Sequence, residues 1–154
     1  MSQGISESFD LIIERIESLV PKRNLSQPFT CLRNSLGNSY GRETMTLTQR
    51  LFWLTPESLP EDDGELGISG RKRVRVNLSV WYALPHEQAL AERMLLEDTA
   101  YIIDTLKSPN YNQSTTGIIS LVLQPSTLEP MLDETGEPTG TLLNITFDLL
   151  YLEA

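Results

Sequence analysis

The chain has 154 residues, 40% of them hydrophobic, and carries 21 acidic against 12 basic side chains for a net charge of -9. That length predicts one domain spanning residues 1–154, able to bury roughly 70% of its unfolded surface, and the apolar content excludes a wholly disordered polypeptide. The negative field repels DNA, RNA and anionic lipid, which argues against sequence-reading nucleic-acid binding, and the single cysteine, Cys31, excludes an intrachain disulfide.

In chain order, Ile5, Phe9, Ile12, Ile13, Ile16, Leu19 and Val20 recur at helical spacing, with Glu7, Asp10, Glu14, Arg15 and Glu17 on the other face. This predicts an amphipathic helix over 5–20, with Ser6 as N-cap and Pro21 as its stop. No basic n-region or continuous apolar run precedes it, so a secretory signal is not expected. Nor does any stretch approach the ~20 apolar residues that span a bilayer, so a soluble protein is expected. Phe29 to Leu32, set among Asn, Ser, Gly and Pro, reads as a brief strand or an irregular connection. Thr44 to Leu54 alternates at Met45, Leu47, Gln49, Leu51 and Trp53 and reads as a strand closed by Pro56.

Glu57 to Gly70 holds Pro60, Gly64, Gly67 and Gly70 among Glu61, Asp62, Asp63 and Glu65, a composition that predicts a long mobile acidic loop. Beyond it the alternation is unbroken: Val74, Val76, Leu78, Val80, Tyr82 and Leu84 against Arg73, Arg75, Asn77, Ser79 and Trp81. One face of that strand is core. The cluster Arg71, Lys72, Arg73 and Arg75 therefore reads as the start of a solvated strand face ahead of a phosphate site. Trp81 falls on the polar face, where it is either an interface anchor or, under a covering helix, ordinary core.

Pro85 opens a second helix to about Lys107 through Leu90, Met94, Leu95, Tyr101, Ile102 and Leu106. A strand follows at Gly117 to Gln124, then a second acidic Pro/Gly-rich loop from Pro125 to Gly140. The last strand, Thr141 to Leu152, puts Leu143, Ile145, Phe147, Leu149 and Tyr151 on its inner face. Leu142, Leu150 and Leu152 on its outer face hint at cover from outside the helices. Consecutive strands joined by long loops pair antiparallel most simply. The expected fold is thus α+β: a mainly antiparallel four- to five-stranded sheet with two helices packed on one face.

Chemistry finds little purchase. His86, the only histidine, starts a helix beside Glu87 and reads as a surface or capping residue, not a general base. One His and one Cys do not make a zinc site, and no Gly-x-Ser-x-Gly elbow lifts a serine. Gly64 to Gly70 lacks the Lys-Ser/Thr pair of a phosphate loop, and Glu61, Asp62, Asp63 and Glu65 depart from a calcium-loop pattern. No catalytic, cofactor-binding or metal-ligating residue is therefore assigned, and an enzyme is the weakest expectation. Activity abolished by substituting His86 would revive it.

The N-terminal amphipathic helix, the strand Arg73-Val-Arg-Val-Asn-Leu-Ser-Val-Trp-Tyr82, the helix after it and the closing strand Leu142-Leu-Asn-Ile-Thr-Phe-Asp-Leu-Leu-Tyr151 resemble the tail terminator (tail completion) proteins of long-tailed bacteriophages. The resemblance lies in element order, size and the basic-then-alternating strand, over most of the chain. It implies a structural virion protein, assembled in the host cytoplasm into a hexameric ring. Such a ring caps the tail tube, and the sheath of contractile tails, and joins the head through neck or connector proteins. Its partners are copies of itself and those tail proteins, with DNA only passing through a negatively charged lumen, and neither membrane nor cofactor is involved. As subunit or tail contacts, the acidic Glu61, Asp62 and Asp63 are expected to meet the basic Arg71, Arg73 and Arg75 across subunits, with Trp81 as an anchor. The alternatives are a neck or head-closure connector and a small-ligand regulatory module with a pocket between helices and sheet.

Overall fold

The computed structural model describes residues 4–21, 28–31, 50–62, 71–83, 88–107, 118–132 and 134–152. Helix α1 covers Ile5–Glu17 and α2 covers Gln88–Leu106. The strands are β1 (Thr30–Cys31), β2 (Leu51–Pro56), β3 (Glu61–Asp62), β4 (Arg71–Ala83), β5 (Ile118–Leu123), β6 (Thr127–Leu132) and β7 (Pro138–Leu152). All seven join one mixed sheet in the order β1-β2-β4-β7-β5, with β3 on β4 and β6 on β7. Only β1 and β2 run parallel. The fold is α+β and mostly antiparallel, as the alternation predicts.

The seven stretches occupy five lanes. Every residue of β4 pairs with β7, from Arg71 opposite Leu152 to Ala83 opposite Gly140. The other side of β4 is shared by β2 and β3, and the other side of β7 by β5 and β6. Two long central strands thus carry an interrupted partner each. Their inner faces hold Val74, Val76, Leu78, Val80 and Tyr82 against Leu143, Ile145, Phe147, Leu149 and Tyr151. All are buried with Ile12 and Ile16 of α1 and Met94, Leu95, Ile102 and Leu106 of α2. Each such aliphatic side chain taken from water stabilises the fold by roughly 1.5–3 kcal/mol, so the two-residue period of β4 and β7 fixes which sheet face the helices cover.

Several boundaries differ from the expectations. Helix α1 starts at Gly4, whose carbonyl accepts the Ser8 hydroxyl at 2.8 Å, so Ser6 lies inside the helix and is not its cap. It ends four residues before Pro21, where the Ser18 N–H reaches the Glu14 carbonyl and the Ser18 hydroxyl the Arg15 carbonyl. Pro56 is the last residue of β2, not a stop beyond its end, and Thr44 to Gln49 lie outside the described residues. The acidic loop expected over 57–70 is tethered for its first part. The Glu57 N–H donates to the Arg75 carbonyl, the Arg75 N–H to the Ser58 hydroxyl, and β3 pairs with β4. Residues 63–70 lie outside the described residues.

The second loop expected, 125–140, is instead a β-hairpin made of β6, a turn through Gly136 and the start of β7. Gly136 takes φ 85°, a left-handed conformation that glycine adopts without steric cost. The Gln124 N–H, between β5 and β6, donates to the Thr146 carbonyl at 2.8 Å and keeps that outer lane continuous.

Candidate functional site

Three features stand out on this scaffold: a buried ion pair, a helix-free sheet face and an open sheet edge. The ion pair joins the start of β2 to α2. Arg50 has φ 59°, an uncommon conformation for a side chain with a Cβ, and is held there by its backbone. Its N–H donates to the Trp81 carbonyl at 2.8 Å and its carbonyl accepts the Thr30 N–H at 3.0 Å, so one residue bridges β4 and β1. The guanidinium then turns inward. Its Nε donates to Asp98 Oδ2 at 2.6 Å and its Nη2 to Asp98 Oδ1 at 3.2 Å, while the Tyr82 hydroxyl donates to Oδ2 at 2.9 Å. The Phe29 ring faces the guanidinium with its centroid 5.5 Å away, a cation–π contact.

Arg50 is 0% and Asp98 1% exposed. Burial pushes the Asp98 carboxyl above its ordinary range, opposed by the donors of Arg50 and Tyr82. Burial also drives the Tyr82 hydroxyl well above 10. A carboxylate closed by three donors is committed to structure, since it has no open side from which to meet a substrate. The network locks α2 against the edge of the sheet. Sequence reasoning singled out neither Arg50 nor Asp98, although Asp98 stands at helical spacing between buried Met94 and Ile102, and an acid on a buried stripe calls for a buried base.

The second feature is the sheet face turned away from the helices. At its centre Asn77 Nδ2 donates to Ser79 Oγ at 2.9 Å and to Asn144 Oδ1 at 3.1 Å, Ser79 Oγ donates to Asn144 Oδ1 at 2.9 Å, and Thr146 Oγ1 donates to Asn77 Oδ1 at 3.2 Å. One end of this face is apolar: Leu51, Trp81 and Ala83 are buried together, with Trp53, Met131 and Leu142 against them. Trp81 lies on the helix-free face, as its parity demands, yet is only 3% exposed. It packs over the backbone of Gly140, so within one subunit it anchors a second, smaller core and offers no free ring to a partner. Of the two readings of Trp81, burial favours ordinary core, and among the described residues its cluster is made of strand side chains.

Part of the acidic segment lies beside part of the basic one in the sheet. Glu61 stands opposite Arg73 and Asp62 opposite Lys72 in the β3–β4 register. Arg75 reaches across to β7, with Nε 2.8 Å from Asp148 Oδ1 and Nη2 3.2 Å from Oδ2. Glu61 and Asp62 thus share the sheet with the basic segment of the same chain, next to it in register. Asp63 and His86 lie outside the described residues. Cys31 is partly buried in β1, and its N–H donates to Glu17 Oε2 at 3.4 Å.

The Arg75–Asp148 pair sets a pH dependence. Its hydrogen bonds hold the Asp148 carboxyl below the usual 3.8, so the pair's contribution is complete above that value and fades as pH falls through Asp148's lowered one. The pair lies on the surface, where screening keeps such effects small. Asp148→Asn should therefore lower the denaturant midpoint slightly at neutral pH, and the difference from wild type should vanish in strong acid. A gap that persisted there would mean that the side chain acts by packing.

The third feature is the outer edge. Strand β6 is exposed on both faces, with Leu128 55% and Leu132 60% exposed, and Val122 of β5 is exposed as well. Leu128 stands opposite the core residue Leu143, so it lies on the helix side of the sheet and is nevertheless exposed. Pro125 and Pro130 thin out the N–H donors along it, which blunts runaway strand pairing and leaves side-chain packing as the means of contact.

Two smaller observations complete the survey. A shallow depression of about 370 Å³ lies between the two helices, lined by Arg15, Ser18, Leu19, Tyr101, Asp104 and Thr105. Among the described residues no three His, Cys, Asp or Glu side chains are grouped to hold a metal ion, and no helix is long and apolar enough to cross a membrane. No protein-family model and no curated protein sequence matches the chain.

Proposed function

We propose that the chain is a structural virion protein of the tail terminator type, one subunit of a hexameric ring that caps the phage tail tube and offers the surface to which the head is joined. The observation that carries this reading is the open β5–β6 lane, which presents Val122, Leu128 and Leu132 to solvent from a sheet whose centre is rigidly packed. Large apolar side chains on a stiff edge are suited to contact with another protein. Among the described residues the sheet's two edges differ, one a long β5–β6 lane and the other the two-residue β1. Unlike edges that meet head to tail generate a ring when the rotation closes. The charge of -9 per subunit suits a lumen through which DNA slides without adhering. The order of elements along the chain adds the likeness to terminators. Copies of itself, tube or sheath subunits and neck proteins are the partners in this reading, and it places the protein in the tail or neck of the virion.

The test is assembly. The purified protein, mixed with tail tubes that lack a terminator, should add a ring of density at one tube end in negative-stain images. The double variant Leu128→Asp, Leu132→Asp should leave the tubes bare while its own folding stability stays within about 0.5 kcal/mol of wild type, since both side chains are exposed. Bare tubes with the wild-type protein would overturn the proposal.

A further inference from the structure

We propose that the β6–β7 hairpin docks into an apolar cleft bordered by Lys and Arg side chains at the end of the tail tube. This deepens the terminator reading and rests on it. It takes only the β6 half of the outer lane, so that β5 is left to a neighbouring copy.

The surface begins with two leucines on one short strand. Leu128 and Leu132 are 55% and 60% exposed, whereas Val20, Leu59 and Leu96, the large hydrophobics exposed outside this lane, stand singly on separate segments. A lone exposed hydrophobe is ordinary, but two on one edge strand make a strip that another protein can cover. Pro130 stands between them and has no N–H to offer a further strand, so side chains make the contact in place of a backbone ladder.

Charge selects the occupant. Residues 118–152 contain Glu129, Asp133, Glu134, Glu137 and Asp148 and no Lys, Arg or His. Asp148 is taken by Arg75, and Glu137 has interactions of its own. Glu129 and Glu134 are exposed, with no hydrogen bond or ion pair among the described residues. Leu128, opposite Leu143, lies on the helix side of β6, and Glu129, opposite Leu142, on the other side. An occupant that meets both therefore straddles the free edge, with an apolar wall toward the leucines and bases toward the carboxylates.

A second copy fits this poorly. Each copy carries -9, and two hairpins that met would set acid on acid. Among the described residues, the exposed cations without a partner are Arg93 and Lys107. They stand about 20 Å apart along α2 at 1.5 Å per residue, interleaved with Glu92, Glu97 and Asp104. No basic strip among the described residues matches the hairpin, so the bases belong to a different protein.

The full chain is titrated onto tail tubes that lack a terminator, at low and at moderate salt, and bound protein is measured by co-sedimentation. The variant Glu129→Lys, Glu134→Lys should bind at least about tenfold more weakly than wild type at low salt, and the gap should narrow as salt rises. The variant Asp10→Lys, Glu14→Lys makes the same change of net charge at exposed positions of α1 and should bind like wild type. Tryptophan fluorescence and thermal melting check that each variant is folded. Hairpin variant and wild type binding alike, or equal weakening by the α1 variant, overturns the base-bordered cleft. Hairpin substitutions that alter self-association of the free protein and leave tube binding unchanged assign the strip to a second copy, and overturn it as well. In each of these cases rings on tubes leave the terminator reading standing. Tubes left bare by the wild type remove both.

Discussion

Replacing Asp98 with alanine should cost roughly 3–5 kcal/mol of stability, because it strands the Arg50 guanidinium at 0% exposure with its principal partner gone. Against a total of about 5–15 kcal/mol for an ordinary domain, such a loss brings the protein close to unfolding. Chemical denaturation followed by circular dichroism measures it. The effect lies in the broken pair, not in the presence of ions: a triple replacement Arg50→Met, Asp98→Leu, Tyr82→Phe removes all three polar groups and should recover most of the loss. Equal destabilisation by the single and triple variants would mean that packing volume at α2, and not an orphaned charge, is what matters there. Because Arg50 also spans β1 and β4 through its backbone, the Asp98 variant should loosen the β1 edge before the β4–β7 centre.

Gly140→Ala should be the second severe change. A Cβ at this position would stand 2.4 Å from the Tyr82 carbonyl oxygen and 2.5 Å from Trp81 Cη2, closer than real contacts allow. The carbonyl belongs to the central ladder and cannot step aside alone, so either β7 shifts or the indole leaves its place. Overpacking of this kind costs about 1–3 kcal/mol. Both tryptophans of the chain, Trp53 and Trp81, belong to the small core on the helix-free face, so intrinsic fluorescence reports on that core alone. The variant should show a red-shifted emission along with a lower melting temperature. An unshifted spectrum would show that the sheet absorbs the methyl group without moving Trp81.

What the sequence revealed and concealed follows from where the burial lies. Helix α1, helix α2 and strands β4 and β7 were legible because each buries one face, and burial on one face writes a period of 3.6 or 2 into the residues. Strand β6 wrote no such period. It is exposed on both faces, and Thr127, Glu129 and Pro130 give it the composition of a loop, so only its pairing with β7 makes it a strand. The same reasoning explains β3, where two acids read as solvent-facing loop while their backbone extends the sheet opposite Arg73 and Lys72. The contact between Arg50 and Asp98 spans 48 positions and has no local signature except the acid on the buried stripe of α2. Trp81 was placed on the correct face by parity, but parity could not say that Gly140, lacking a side chain, leaves room for the indole to lie flat across β7.

The proposed function rests on the β5–β6 lane, where Val122, Leu128 and Leu132 are exposed in the single subunit. Hydrogen–deuterium exchange on the wild-type protein, free and assembled on tail tubes, tests this most directly. The expected result is that residues 118–132 exchange more slowly once assembled than in the free protein, while β4 and the centre of β7 are slow in both. Unchanged exchange across 118–132, with protection appearing elsewhere or nowhere, would contradict it.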